Sequence, residues 1–226
     1  MLPVEDPLPH ILAVVTASRA PSRHIFGLVG EPGSGKTTFC AQLVRAINAA
    51  LGDGVAVALS MDGFHLPRSA LDAGLPPLHP DPAECHARRG SPWTFSPAAM
   101  EARLRAVAAG AADVPWPGFD HAVGDPVEGA VVVPRGARVA VLEGLYLLHG
   151  GDGWGGARAL LERCWYLDTP PPVARKRLLA RHQAAWGISS TEAEARVARN
   201  DGVNAELVRG TRARADAAVV AAEAGA

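Results

Sequence analysis

Gly30-Glu31-Pro32-Gly33-Ser34-Gly35-Lys36-Thr37 decides how the rest of this chain is read. The eight residues match G-x-x-x-x-G-K-[ST] in full, and their surroundings suit the pattern. Before them, Ile25-Phe26-Gly27-Leu28-Val29 is a short apolar run that reads as a buried strand. After them, residues 36–51 are rich in helix formers, with Phe39, Leu43, Ile47 and Leu51 four apart on one face. A glycine-rich turn between strand and helix cradles phosphate. Gly33 and Gly35 let the backbone aim several N–H groups at one anion, and the helix start adds its positive dipole end. Lys36 can reach the β- and γ-phosphates, and the Thr37 hydroxyl can take one magnesium position. Gly30, Gly33, Ser34, Gly35, Lys36 and Thr37 are therefore expected around a nucleoside triphosphate and its Mg2+. Thr38 either touches a phosphate as well or is only an early helix residue.

Outward from this loop, Gly52-Asp53-Gly54 stops the helix, and Val55-Ala56-Val57-Ala58-Leu59 reads as a second buried strand. Strand, helix and strand make a βαβ unit with parallel strands and a right-handed crossover. A leading helix is expected over 6–20 and another from Ser96-Pro97 to 109. Arg138 to Leu142 and Trp165-Tyr166-Leu167 read as further buried strands, Val131-Val132-Val133 as a short edge strand, and 217–220 as a last strand. Helices are expected over 171–186 and 191–209. Segments 61–96 and 114–130 lack periodicity and are rich in turn formers. The alternation predicts an α/β fold with a mostly parallel sheet, in one domain spanning 1–226.

Three acids follow strands at the end where ligands of open parallel sheets bind. Asp62 comes shortly after the second strand, Glu143 directly after the third, and Asp168 after the fourth, where Thr169-Pro170-Pro171 makes a helix-cap role the better reading. Phosphoryl transfer needs one acid to orient magnesium and another to accept the proton of the attacking hydroxyl. Glu143 is the magnesium candidate and Asp62 the base. Beside Asp62, His65 can touch a second substrate. Arg177 and Arg181 are four apart on one predicted helix and can share a face, either as a lid over the phosphates or as a solvated basic surface.

The totals agree with a packed enzyme-sized domain. Hydrophobic residues make up 48% of the 226, charged residues 20%, and the formal net charge is -1. That balance gives no basic excess of the kind nucleic acid demands. Cys40, Cys85 and Cys164 are odd in number and widely spaced, so neither a disulfide framework nor a zinc site is expected. No segment offers the roughly 20 apolar residues of a membrane span. The N-terminus lacks the basic leader and apolar run of a signal peptide, so a cytoplasmic location is expected.

Several runs in order then resemble a known superfamily. They are the phosphate loop, Met61-Asp62-Gly63-Phe64-His65-Leu66, Arg88-Arg89-Gly90-Ser91-Pro92-Trp93-Thr94-Phe95, Phe119-Asp120-His121, Leu142-Glu143-Gly144, Trp165-Tyr166-Leu167-Asp168 and Arg181-His182. Over about residues 24–220 the chain resembles the uridine kinase, phosphoribulokinase and bacterial pantothenate kinase superfamily of P-loop kinases, particularly its nucleoside/nucleotide kinase, or fructose transport system kinase-like, branch. The resemblance implies a three-layer αβα fold with a five-stranded parallel sheet and a small helical lid near 171–190. It implies MgATP as donor and a small hydroxylated acceptor: a nucleoside, a sugar or a pantothenate-like compound. It matches Asp62 to the catalytic aspartate, Glu143 to the magnesium-associated glutamate, and Arg177 and Arg181 to lid arginines. Arg89 and Phe119-Asp120-His121 fall where relatives line the acceptor pocket, within insertions at 61–96 and 114–130. Asn204 matches a residue near the adenine or lid hinge, or is a plain helix residue. A homodimer is open. Relatives of that branch tend to carry Asp where this chain has Ser96 and Arg where it has His121, which leaves acceptor identity undecided.

A kinase is not the only reading of a phosphate loop. An ATPase switch that acts on a protein partner would need an exposed surface sensing the γ-phosphate, and a nonenzymatic sensor would tolerate loss of the base. The long insertion at 61–96 and the presence of both Asp62 and Glu143 favour the kinase.

Overall fold

The computed structural model describes residues 2–18, 23–120, 122–151 and 153–220. Five strands form one parallel sheet: β1 (His24–Val29), β2 (Ala56–Ser60), β5 (Val139–Gly144), β6 (Arg163–Leu167) and β7 (Ala217–Val219). Their order is β2-β5-β1-β6-β7. The five-stranded parallel sheet is thus as expected, with β5 inserted between β2 and β1. Strands β1 and β5 are buried along their whole length, as continuous apolar runs covered on both faces are.

The period-two alternation of β5 divides the core. Val139 and Val141 face one layer with Ile11, Val15, Cys40, Leu43 and Ile47, which come from α1 (Pro7–Ala17) and α2 (Lys36–Leu51). Ala140 and Leu142 face the other with Met100, Leu104 and Val107 of α5 (Pro97–Ala109). Helices on both faces of the sheet make the three layers. No helix of the described residues is long and apolar enough to cross a membrane.

Both irregular segments are structured. Residues 61–96 contain a 3-10 turn (Met61–Phe64), two short helices, α3 (Arg68–Asp72) and α4 (Pro82–Ala87), and a further turn over Pro92–Thr94. Residues 114–133 form an antiparallel hairpin of β3 (Val114–Asp120) and β4 (Asp125–Val133), separate from the main sheet. Val131-Val132-Val133 is the end of that hairpin, not an edge of the main sheet. The hairpin packs directly on the 3-10 turn: a Cβ at Gly63 would collide with the Pro117 carbonyl, and the Trp116 indole N–H donates to the Ser60 carbonyl at 2.9 Å. Gly63 therefore permits the contact that fixes the turn carrying Asp62.

After β5, α6 (Gly155–Arg158) leads to β6, and α7 (Pro171–Trp186) follows it. The single helix expected over 191–209 is instead α8 (Ser190–Arg196), one π turn (Val197–Asp201) and α9 (Gly202–Gly210). The Gly202 N–H bonds to the Val197 carbonyl five residues back, so one extra residue bulges, an arrangement common at functional sites.

Candidate active site

The phosphate loop leaves β1 at Gly30. Gly33 and Gly35 have φ of 78° and 95°, in the left-handed region that a side chain would strain. Gly35 caps α2 without a side-chain hydrogen bond, so the first N–H groups of the helix are free for an anion. The buried Ser34 Oγ has no hydrogen-bond partner among the described residues. Lys36 is buried, and its Nζ donates to the Glu31 carbonyl at 3.1 Å. Burial pushes the Lys36 ammonium below its ordinary pKa, against the pull of Glu143 and Asp62, while Arg181 adds to the lowering. An orphaned hydroxyl, uncapped amides and a desolvated ammonium together fit a polyphosphate.

Other side chains brace the loop. The Glu31 carboxylate is gripped by Arg209 of α9, Nε to Oε1 at 2.8 Å and Nη2 to Oε2 at 2.7 Å, and receives the Tyr166 hydroxyl at 3.4 Å. The Ser34 carbonyl accepts from Thr169 Oγ1 at 3.0 Å and from Arg177 Nη1 at 3.3 Å. A Cβ on Gly33 would collide with the Ala174 carbonyl of α7.

Glu143 lies one residue from the end of β5 and is 5% exposed. Thr37 Oγ1 donates to its Oε1 at 3.2 Å. Burial raises the Glu143 pKa; Lys36 opposes the rise, Asp62 adds to it, and hydrogen bonds from Ser60 and Thr37 oppose it. Because β2 pairs with β5 and Ser60 stands opposite Glu143, the turn after β2 carries Asp62 to the same cavity. Among the described residues no group of three or more His, Cys, Asp or Glu could hold a metal. Magnesium takes one or two protein oxygens and completes its shell with phosphate and water. Thr37 and Glu143 fit that donor set.

Asp62, Lys36, Thr37 and Glu143 share a cavity of about 1080 Å³, just above the usual range of about 300–1,000 Å³ for small-molecule sites. His65, Arg89, Phe119 and Arg181 line it too. The His65 ring packs on Phe95 at 3.9 Å and on Phe119 at 4.7 Å, and its Nδ1 lies 2.8 Å from the Asp62 carbonyl. Arg89 is held by the Gly124 and Leu66 carbonyls and by Asp125 at 2.8 Å. Arg177 bonds the phosphate loop rather than this cavity. Thr38 is exposed on α2 and does not line the cavity. Asp120 is occupied by its own turn, accepting from the Ala122 and Val123 N–H groups at 2.7 and 3.2 Å. His121 lies outside the described residues. Asp168 pairs with Arg212 at 2.5 Å and caps no helix.

Three lining residues, Arg68, Asn200 and Trp186, carry no sequence signal of their own. Arg68 opens α3. Asn200 of the π turn donates to the Arg89 carbonyl at 2.8 Å. Trp186 stacks on His182 at 4.6 Å, and His182, 4% exposed, pairs through Nε2 with Asp201 at 2.9 Å. Only the Arg181-His182 run hinted at this wall. Asn204 continues it, donating to the Gly90 carbonyl at 3.2 Å, as a packed helix residue.

No family model matches the chain. Individual proteins do. A candidate uridine kinase of Schizosaccharomyces pombe is 36% identical over 189 residues, 82% of this chain and 78% of that protein. The ATP-dependent kinase-like protein notR' of Aspergillus versicolor is 39% identical over 151 residues, 65% of this chain and 85% of that one. In three dimensions, a candidate fructose transport system kinase from Silicibacter sp. TM1040 superposes with a TM-score of 0.81 at 30% identity, covering 96% of this chain and all of the other. With the phosphate loop, the sheet order and the paired acids in place, the chain belongs to the uridine kinase-like family of ATP-dependent P-loop kinases.

Proposed function

We propose that the chain transfers the γ-phosphoryl group of MgATP to a hydroxyl of a small acceptor held beside Asp62. The convergence of Lys36, Thr37, Asp62, Glu143 and Arg181 on one cavity carries this reading. Magnesium, when bound, would offset the charge of the phosphates. Thr37 and Glu143 would hold it, and the loop amides and Lys36 would hold the phosphates. Asp62 takes the proton of the acceptor hydroxyl as that oxygen forms its bond to phosphorus. The bond from phosphorus to the β,γ-bridging oxygen breaks, and ADP keeps the electron pair. Arg181 stabilises the transferring group, and Arg177 holds the loop to α7, which acts as the lid helix. A nucleoside, a sugar or a pantothenate-like compound fits the acceptor side, where His65, Phe119 and Arg89 offer aromatic surface and fixed charge.

The test is coupled ADP release from MgATP across nucleosides, sugars, pantothenate and glycerate, with Asp62→Ala and Lys36→Ala beside the native chain. The expected result is ADP release that depends on one class of acceptor and is lost in both variants. ATP turnover indifferent to every acceptor and to Asp62 would overturn the reading and favour an ATPase switch.

A further inference from the structure

The charge around the cavity is unevenly spent. Asp201 is taken by His182 at 2.9 Å. Lys36 and Arg181 also line the cavity and serve the phosphates in the kinase reading. Arg89 is occupied by two carbonyls and by Asp125. That leaves Arg68 and Arg196 on the wall, and neither holds a carboxylate or carbonyl through its guanidinium among the described residues. Arg196 lies over the Trp186 ring at 4.0 Å. Arg68 contributes only its backbone N–H to Asp125 Oδ1, at 2.9 Å.

The position of Arg68 is specific. A Cβ at Gly124, in the loop of the hairpin, would lie 3.4 Å from Arg68 Nη1 and 4.0 Å from Arg89 Nη1. Two guanidinium groups therefore flank one glycine with no other side chain of the described residues within 4 Å of that point, and Asp125 bonds the Arg89 guanidinium but only the backbone N–H of Arg68. The Arg89 Nε is also buried without a hydrogen-bond partner among the described residues. The Arg68 guanidinium at the acceptor end of the cavity thus holds no hydrogen-bonded acid among the described residues. A neutral polyol leaves it without a charged partner. A carboxylate or phosphate ester meets it with charge-assisted hydrogen bonds, for which the planar arginine fork is suited.

We propose that the acceptor is an anion: the hydroxyl compound carries a carboxylate or a phosphate ester away from its reacting oxygen, and Arg68 beside Arg89 receives that group. This inference rests on the kinase reading for the chemistry of the hydroxyl, but the placement of the two guanidinium groups stands by itself.

The test is calorimetric titration of the full chain, loaded with magnesium and a nonhydrolysable ATP analogue, against charged and neutral twins. Glycerate against glycerol is the carboxylate arm, and ribose 5-phosphate against ribose is the phosphate arm. A charged member should bind at least tenfold more tightly than its twin. Arg68→Met should remove that preference by tenfold or more, and Arg68→Lys should restore part of it. Arg68 is exposed, so these substitutions spare the core. Equal binding of the twins, no binding of either charged member, or a preference unmoved in Arg68→Met would overturn the inference. Arg68-dependent anion binding without ADP release would uphold it and overturn phosphoryl transfer instead.

Discussion

Glu31 and Arg209 form an asymmetric pair, and removing either partner should have unequal effects. The Glu31 side chain is 8% exposed and that of Arg209 45%. Arg209→Met leaves a buried carboxylate with only the Tyr166 hydroxyl, at 3.4 Å. Breaking a fully buried pair costs about 3–5 kcal/mol. Here solvent already reaches the arginine, which reduces the expected cost to about 2–3 kcal/mol. Glu31→Gln keeps an acceptor for Arg209 and frees a cation that water can solvate, for about 1 kcal/mol. Near the melting temperature these amount to drops of roughly 4–12 °C and 2–4 °C for a domain of this size. Thermal and urea unfolding of both variants and the double variant would measure them. The double variant should lie close to Glu31→Gln, because the uncompensated charge is gone. Glu31→Gln costing as much as Arg209→Met, or an additive double variant, would refute the reasoning.

Asp62→Asn should lower kcat by about 10²–10⁴-fold with ATP binding retained, read by steady-state kinetics and nucleotide titration. Gly33→Ala should cost about 2 kcal/mol or more, since left-handed strain is joined by collision with the Ala174 carbonyl. Gly110→Ala, at φ +63° with nothing within 4 Å of the new Cβ, should cost only about 1 kcal/mol, and the two thermal midpoints compare them. Burial pushes the Cys40 and Cys164 thiols up to about 12 from 9.0. The folded state therefore holds protons that the unfolded chain releases above pH 9. Stability from these sites is intact below pH 9 and falls between about 9 and 12, each contributing a slope of about 1.4 kcal/mol per unit. A urea midpoint that drops from pH 9 to pH 11 would show it.

The features legible in the sequence are those written in adjacent residues. Ile25 to Thr37 carries strand, turn and helix signals together, so β1, the loop and α2 stand where the pattern puts them. Asp62 and Glu143 were legible because strand ends are local and the ligand end of a parallel sheet is a general rule. The hairpin was hidden by Pro115, Pro117, Pro126, Gly118 and Gly129, which weaken strand propensity. It forms because tertiary contacts such as Trp116 to Ser60 outweigh that weakness. Insertion of β5 between β2 and β1 depends on pairing across more than 80 residues, which no window sees. Arg68 and Trp186 belong to the cavity only through non-local packing. Asp120 showed the reverse: a residue the family places at the pocket is used by its own turn.

The contact between Gly33 and Ala174 has a mechanical side. The same helix that rests on the phosphate loop at Ala174 ends at Trp186 on the cavity wall. Twelve residues of α-helix make an arm of about 18 Å, so a 10° tilt about the loop sweeps the tryptophan roughly 3 Å. A displacement too small to notice at the phosphate loop would be large at the tip, about the width of one water molecule. The loop and the cavity wall at Trp186 are joined by one rigid rod that rests on a glycine.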